Sequence, residues 1–247
     1  MTSKSKIRLC VTAPLGADKR VVLSSEDSHY LVNVMRRKAG DEVVLFNGRD
    51  GEWRAKILEA HKKKTILSAQ EQLRPQRAGL DLWLLFAPLK RASVDSMVQK
   101  ATELGISELL PVLTEYSDSR GIKITRLAAI AKETAEQCHR LMVPKVRPIQ
   151  TLQEVLEDWP DERRLVFCDE AGKGDNPLAV LKKFGANKKI KSWALLVGPE
   201  GGFSPDERLH ILSKPYVVPV SLGPRLLLAD TAAIAALTVW HLALGDW

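Results

Sequence analysis

The stretch Leu195-Leu-Val-Gly-Pro-Glu-Gly-Gly-Phe-Ser204 joins an apolar run to the start of a helix. Ser204 suits the N-cap, Pro205 the first helical position, and Glu207 completes a capping box. Glycines after a strand let the backbone approach a ligand, and open α/β sheets bind ligands at that edge. The spacing is neither G-x-G-x-x-G nor a Walker A loop, which argues against dinucleotide and triphosphate sites. A strained turn without a ligand is the structural alternative.

A second loop of this kind follows another apolar run. It reads Ser221-Leu-Gly-Pro-Arg-Leu-Leu-Leu-Ala-Asp-Thr-Ala-Ala233 and opens a small-residue helix predicted over 232–244. Small residues let another backbone pack closely, although an alanine-rich core helix would look the same. The two loops together predict a ligand site built largely from backbone.

The region after residue 80 alternates apolar strands with helical patterns. The predicted strands are 82–87, 108–113, 165–168, 193–197 and 217–221, and the clearest helices are 93–104 and 124–141. Such alternation is typical of a mainly parallel sheet covered by helices on both faces. The sequence therefore predicts an α/β domain over 78–247.

The first part of the chain has a different sequence pattern. Short strands are predicted at 21–23, 42–46, 52–58 and 65–67, with a helix at 28–37. The turn Asn47-Gly-Arg-Asp-Gly51 predicts a hairpin between 43–46 and 53–58. These features favour a small β-barrel domain over 1–74, followed by a polar linker within 71–79.

The net charge of +7 lies entirely in that first part. Residues 1–77 hold 16 lysines and arginines against 9 acidic residues, and the remainder is balanced. Such asymmetry favours a segment that meets a polyanion such as the phosphate backbone of RNA, although a solvated basic face is the alternative. The RNA-binding candidates are Arg8, Arg20, Arg36 and Arg37.

Other classes of site find little support. Cys10, Cys138 and Cys168 are too few and too far apart for a disulfide framework or a zinc site, and the histidines form no ligand cluster. We therefore expect no metal and reduced thiols in a cytoplasmic protein. No apolar run has the length of a membrane helix, and no secretory signal is visible.

The two loops and several other segments carry a family resemblance. These segments are Gln99-Lys100-Ala-Thr-Glu103-Leu-Gly105, Glu136-Gln137-Cys-His-Arg140 with Pro144, Phe167-Cys-Asp-Glu-Ala-Gly172, and His29-Tyr-Leu-Val-Asn-Val-Met-Arg36-Arg37 with Gly40-Asp41. In this order, they resemble the ribosomal RNA small subunit methyltransferase E family of the SPOUT superfamily. The resemblance covers nearly the whole chain.

The resemblance implies a fold and an activity. The fold would be a PUA-like β-barrel for RNA, followed by a SPOUT-type α/β domain whose C-terminal segment forms a deep trefoil knot. The activity would be methylation of N3 of a uridine in 16S rRNA with S-adenosyl-L-methionine as cofactor, by a homodimer. We expect the seam of that dimer to contain the small-residue helix 232–244 and the helix 93–104. The partners would be 16S rRNA or the assembled small ribosomal subunit, with no membrane.

The resemblance also implies site residues. The cofactor-binding positions would be Cys168, Asp169, Gly198, Glu200, Gly201, Gly202, Ser221, Leu222, Gly223, Leu226, Leu227 and Thr231. Uridine N3 carries a proton at neutral pH, so the reaction needs positive charge or a proton acceptor. Arg140, Arg225 and Lys90 could supply the charge, and Asp230 or Glu200 could take the proton; the sequence does not choose among them.

One departure from the family pattern concerns Leu228, where most relatives carry arginine. If that arginine contacts phosphate or activates the uridine, leucine cannot replace it. Two alternatives therefore stand beside the methyltransferase: a non-catalytic RNA-binding SPOUT protein, and a methyltransferase with a different RNA target.

Overall fold

The computed structural model describes residues 7–88, 91–117, 122–170, 175–185 and 190–247. The chain divides into two units. The first unit contains Met1–Ala78 and the later segment Ala135–Val143, and the second contains Gly79–Thr134 and Pro144–Trp247. The sequence reasoning, which placed domains at 1–74 and 78–247, did not anticipate that 135–143 joins the first unit.

The first unit is built on a five-stranded sheet with the order β1-β3-β4-β5-β2. The strand β1 pairs with β3 in parallel, and the other pairs are antiparallel. A short helix and a π-helical turn, Tyr30–Val34, connect β2 to β3. The elements are β1 Arg8–Cys10, β2 Arg20–Val22, α1 Ser25–His29, β3 Glu42–Phe46, β4 Glu52–Glu59 and β5 Ile66–Arg74.

Local sequence signals predicted some of these elements better than others. The β3–β4 hairpin is confirmed, with Leu45 opposite Trp53. The helix predicted over 28–37 instead begins at Ser25, because the Ser24 side chain accepts a hydrogen bond from the Asp27 N–H at 3.0 Å. The predicted linker 71–79 begins inside β5, which continues to Arg74 and stays paired with β4 through shifts in register.

The second unit is built on a seven-stranded parallel sheet. Its order is β12-β10-β11-β6-β7-β8, and β9 pairs with β7 beside that path. Alternating helices and buried strands confirm the predicted α/β class with a mainly parallel sheet. The strands are β6 Asp81–Phe86, β7 Glu108–Leu113, β8 Lys145–Val146, β9 Gln150–Thr151, β10 Arg163–Cys168, β11 Ser192–Val197 and β12 Val217–Val220.

The helices of the chain follow the same alternation. They are α2 Arg91–Glu103, α3 Ile124–Gln137, α4 Leu152–Glu157, α5 Pro177–Gly185, α6 Pro205–Leu212 and α7 Ala229–Leu244. The predicted helix 124–141 is wrong in its last four residues, which lie beyond Gln137, and His139 there has a left-handed φ of 61°. The C-terminal helix α7 contacts α2, α5 and β11. The threading of this segment into a trefoil knot stays a prediction.

An ion triad with two buried members, Arg8 and Glu52, organises the first unit. The Arg8 Nε donates to Glu52 Oε1 at 2.7 Å, and Arg74 donates to both Glu52 oxygens at 2.7 and 2.8 Å. The side chains of Arg8 and Glu52 are only 3% and 8% exposed. The Arg8 guanidinium also lies 4.5 Å from the centroid of the Phe46 ring. One carboxylate thus joins β1, β4 and β5.

The same arginines bind the end of α3, where helical carbonyls lack partners within the helix. Positive charge is also favourable at the negative end of the helix dipole. Arg8 and Arg74 donate to four carbonyl oxygens at 2.7–3.0 Å, those of Ala135, Glu136, His139 and Arg140. These bonds explain why the segment Ala135–Val143 belongs to the first unit.

We predict that Glu52→Gln lowers the free energy of unfolding by roughly 3–5 kcal/mol, since breaking a buried pair leaves a buried charge uncompensated. Burial raises the pKa of Glu52, but hydrogen bonds from Arg74 and Arg8 outweigh it, so the folded pKa lies below the usual value. A depressed pKa stabilises the protein above the unfolded value and loses that effect as pH falls. The difference in the free energy of unfolding between the wild type and Glu52→Gln, measured by urea unfolding, should therefore be smaller at pH 3.5 than at pH 7.

The matched control is Glu71→Gln. Glu71 pairs with Arg54 at 2.9 Å, but its side chain is 61% exposed. Exposed pairs contribute about 0–1 kcal/mol, so this variant should unfold like the wild type. Equal losses in the two variants would contradict the importance of the ion triad.

Candidate functional site

A cavity of about 730 Å³ opens at the carboxyl ends of β10, β11 and β12. Its size lies within the usual range for small-molecule sites. Three segments, one after each strand, form its wall. They contribute Cys168, Asp169 and Glu170; Val197, Gly198, Pro199, Glu200, Gly202 and Phe203; and Ser221, Leu222, Gly223, Pro224, Arg225, Leu226, Leu227, Leu228, Ala229 and Ala232.

The segment after β11 turns sharply into α6. Its predicted capping box is confirmed: the Glu207 N–H donates to Ser204 Oγ at 3.3 Å, and the Ser204 N–H donates to Glu207 Oε2 at 3.1 Å. Gly202 has a φ of +70°, and a Cβ there would lie 2.0 Å from Glu170 Oε1. A Cβ on Gly198 would lie 2.6 Å from the Phe203 ring. Both glycines are therefore needed for the turn itself.

The segment after β12 is more open. Gly223 has a φ of +107°, and a Cβ added there would meet no atom within 4 Å. Arg225, Leu226 and Leu228 are exposed while also lining the cavity. This segment therefore contributes mainly backbone and apolar groups to the wall, with the Arg225 guanidinium at the open edge of the cavity.

The end of β10 places a protonated thiol, that of Cys168, and an ion-paired carboxylate, that of Asp169, on the cavity lining. Burial raises the pKa of the Cys168 thiol to about 12, so the thiol stays protonated and is no nucleophile. The buried Asp169 carboxylate accepts from Arg208 Nε at 3.0 Å and from Nη2 at 2.7 Å. This hydrogen bonding raises the pKa of the Arg208 guanidinium. The pair connects α6 to the end of β10.

Ten of the twelve predicted cofactor positions line the cavity. Gly201 and Thr231 do not. A Cβ on Gly201 would lie 3.3 Å from Tyr116 Cβ, on the side chain of a neighbouring turn. Thr231 is exposed in the first turn of α7, and its N–H donates to Asp230 Oδ1 at 2.8 Å. Among the lining residues that the sequence reasoning missed are Phe203, Ala229 and Ala232, whose only signal in the sequence is that they lie next to the glycine loops.

The predicted catalytic residues do not all line the cavity. Arg225 and Glu200 line the cavity, but Asp230 does not. Arg140 belongs to the first unit, where burial lowers the pKa of its guanidinium. Lys90 lies outside the described residues.

The predicted RNA contacts also need revision. Arg8 is not available for RNA, because its guanidinium is buried and bonded to Glu52 and to helix carbonyls. Arg20 and Arg36 are exposed, and Arg37 is half-buried. A run missed by the sequence reasoning, Lys62–Lys64, is exposed in the loop between β4 and β5.

That lysine loop lies at the same end of the sheet as Arg36 and Arg37. Thr65, the last residue of the loop, donates its N–H to Ser28 Oγ at 2.9 Å, which connects the loop to α1. The Gly40 N–H donates to the Ile57 carbonyl at 2.8 Å, which places the segment after Arg37 beside the end of β4. Two basic stretches distant in sequence therefore share one end.

Within the described ranges, no group of three metal-ligating side chains is present. No helix in those ranges is long and apolar enough to cross a membrane.

Two family models match the chain. The model described as RNA methyltransferase domain matches residues 76–241, and the model described as RNA methyltransferase PUA domain matches residues 23–69. A curated relative, ribosomal RNA small subunit methyltransferase E of Rickettsia conorii, is 31% identical over 93% of this chain and 93% of its own length.

Solved structures share the architecture. A protein described as a methyltransferase from Legionella pneumophila, solved with its cofactor SAM, is 27% identical with a TM-score of 0.83, over 98% of this chain and 99% of that one. The ribosomal RNA small subunit methyltransferase E of Neisseria gonorrhoeae is 24% identical with a TM-score of 0.81, over 97% and 98% of the two chains. The latter likeness supports the fold alone.

Proposed function

The chain belongs to the ribosomal RNA small subunit methyltransferase E family, and from this premise we propose that it methylates N3 of a uridine in 16S rRNA. It is an S-adenosylmethionine-dependent rRNA methyltransferase. The observation that carries the proposal is the cavity formed by the loops after β10, β11 and β12. We infer a cytoplasmic location, since the substrate is ribosomal.

The residues around the cavity fit the cofactor. Its apolar wall, with Val197, Leu222 and Leu227, suits a purine ring, and the glycine-containing segments leave backbone groups close to the ligand. The positions proposed to hold it are the ten that line the cavity: Cys168, Asp169, Gly198, Glu200, Gly202, Ser221, Leu222, Gly223, Leu226 and Leu227.

Methyl transfer requires this chain mainly to position the two reactants. When bound, the cofactor supplies an electrophilic methyl group. The chain must exclude water and hold uridine N3 in line for attack, and such positioning can provide much of the acceleration. The neutral Cys168 thiol does not compete for the methyl group, because the thiolate is the nucleophilic form.

The proton on N3 must also leave. Glu200 is the acceptor that we propose, since it lines the cavity, whereas Asp230 lies outside it. Arg225, also on the lining, is the proposed source of positive charge for the developing anion. A base whose N3 is paired cannot be attacked, so the target must be unpaired or extruded.

RNA affinity is proposed to come mainly from the basic end of the first unit. This end carries Arg36, Arg37 and Lys62–Lys64, and Arg20 lies on the exposed sheet face nearby, opposite Ser68 of β5. Glu42 and Glu59 lie at the same end, so the attraction depends on the surplus of cations. Phosphate contacts of this kind add affinity without reading sequence.

We propose that the protein is a homodimer. The predicted seam, 232–244 with 93–104, needs correction in one respect: Ala233, Ala236 and Leu237 are already buried within the chain, where α7 contacts α2 and α5. The remaining face of the C-terminal segment, with exposed Leu242 and Trp247, is the proposed contact.

A non-catalytic RNA-binding protein is the second candidate, and Leu228 is the observation that favours it. Mass spectrometry of rRNA nucleosides from cells with and without the protein separates the two. Loss of N3-methyluridine from 16S rRNA supports the enzyme, and unchanged nucleosides support the binding protein. Loss of a different methylated nucleoside would point to another RNA target.

Ala232→Leu should weaken binding of S-adenosylhomocysteine at least about 10-fold. Ala232 lines the cavity from the first turn of α7, so a larger side chain occupies ligand space without straining the helix. Isothermal titration with the full chain measures this effect. Thr231→Leu is the control, since Thr231 is exposed and off the lining. Wild-type affinity in Ala232→Leu would contradict the assigned cavity.

Charge reversal at the basic end should weaken RNA binding. For Arg36→Glu with Arg37→Glu, and separately for Lys62–Lys64 changed to glutamate, the salt slope of binding should fall by about 1 per lost phosphate contact. Filter binding to 16S rRNA at several salt concentrations measures both quantities. Reversal of Lys182 and Lys183, exposed on α5 of the second unit, should have less effect. Equal losses of RNA affinity in all three variants would mean that binding depends on the net charge of the protein and not on where the cations lie.

Leu242→Glu should shift the protein from dimer to monomer at micromolar concentration, because a charge replaces an exposed apolar group in the proposed contact. Light scattering measures the mass. Leu209→Glu changes a leucine on α6 that is 64% exposed, against 55% for Leu242, and should leave the mass unchanged. A wild-type monomer that still methylates rRNA would overturn the dimer.

A further inference from the structure

An exposed aromatic ring lies beside the glycine loop. Tyr116 follows β7 in a tight turn and is 52% exposed. Its Cβ and ring lie 3.3–3.9 Å from the position of a Cβ on Gly201, between the lining residues Glu200 and Gly202. The other strongly exposed aromatic side chain described in the second unit, Trp247, already stacks on His241.

The turn that presents Tyr116 is held in place from two sides. The Thr114 N–H donates to Ser117 Oγ at 2.8 Å, and the Ser117 N–H donates to the Thr114 carbonyl at 3.1 Å. The Glu115 N–H donates to Glu207 Oε1 at 2.8 Å. The ring therefore stands on fixed backbone, which reduces the entropy lost when a ligand stacks on it.

Glu207 couples this turn to the cofactor loop. Its other oxygen, Oε2, accepts from the Ser204 N–H at 3.1 Å in the capping box of α6. One carboxylate thus sets the position of Tyr116 relative to the segment 198–203. A shift of either segment would break one of the two bonds.

The charges around Tyr116 favour a base and disfavour a phosphate. Exposed Glu115 adjoins it in sequence, and exposed Glu200 adjoins Gly201. Carboxylates repel phosphate, whereas a neutral base can stack on the ring through its π-face.

Building on the proposed function, we propose that Tyr116 is a positioning residue on which the extruded target base stacks while its N3 faces the cavity. The interaction needs the aromatic face and not the hydroxyl. Tyr116→Ala should therefore lose the effect, and Tyr116→Phe should keep it.

The first test is methyl transfer to small ribosomal subunits that lack the modification. Tyr116→Ala should lower kcat/KM for the subunit about 5- to 150-fold, the range expected for loss of one base–aromatic stack. Tyr116→Phe and the surface control Leu209→Ala should stay within about 2-fold. Titration with S-adenosylhomocysteine should give the same affinity for all variants. If Tyr116 only supported the structure of the cofactor loop, Tyr116→Ala would weaken this affinity.

The second test reads stacking without turnover. A 16S rRNA fragment with 2-aminopurine at the target position should lose fluorescence on binding the wild type and Tyr116→Phe, but not Tyr116→Ala. The proposal is overturned if Tyr116→Ala keeps wild-type kcat/KM and quenching, if it loses cofactor affinity, or if Tyr116→Phe is equally impaired. Absence of methyl transfer by the wild type would refute the proposed function instead, and quenching would still report on Tyr116.

Discussion

The site depends on the order of three parallel strands, β12-β10-β11. Parallel strands all end at the same edge, so the segments after Cys168, Val197 and Val220 meet there although about 50 residues of sequence separate the first from the last. In an antiparallel sheet, alternate segments would lie at opposite edges. The strand order of the sheet, more than any single side chain, thus creates the cavity.

Two carboxylates then set the loops at that edge. Asp169 holds Arg208 of α6, and Glu207, one residue earlier on α6, holds both the cofactor loop and the turn of Tyr116. The first turns of α6 therefore fix the segments after three different strands. Because these carboxylates have protein partners, they contribute to the geometry of the site, and the chemistry is proposed for Arg225 and Glu200.

Prediction from sequence succeeded where the signal was local. The capping box at Ser204 spans four residues, and the β3–β4 hairpin is set by one turn, so both could be predicted. The burial of Arg8 could not, because its partners are Glu52 and carbonyls more than 120 residues away. The same limit applies within the loops: neighbouring Gly201 and Gly202 look alike in sequence, but only Gly202 faces the cavity. Tyr116 carried no signal, since its importance comes from the loop against which it packs.

Leu228 can now be assessed against the geometry. It lines the open edge of the cavity and stands at the N-cap of α7 without a side-chain cap. The arginine that the family resemblance implies at this position would add a second cation at that edge; Arg225 is the only basic residue on the described lining. The change therefore reduces the charge available to a developing anion while leaving the backbone of the cofactor loops intact. Leu226 and Leu228 also make the edge more apolar, which favours contact with a base over contact with a phosphate. Under the proposed function, affinity for the RNA backbone would then depend more on the basic end of the first unit, and placement of the base more on the proposed stacking on Tyr116.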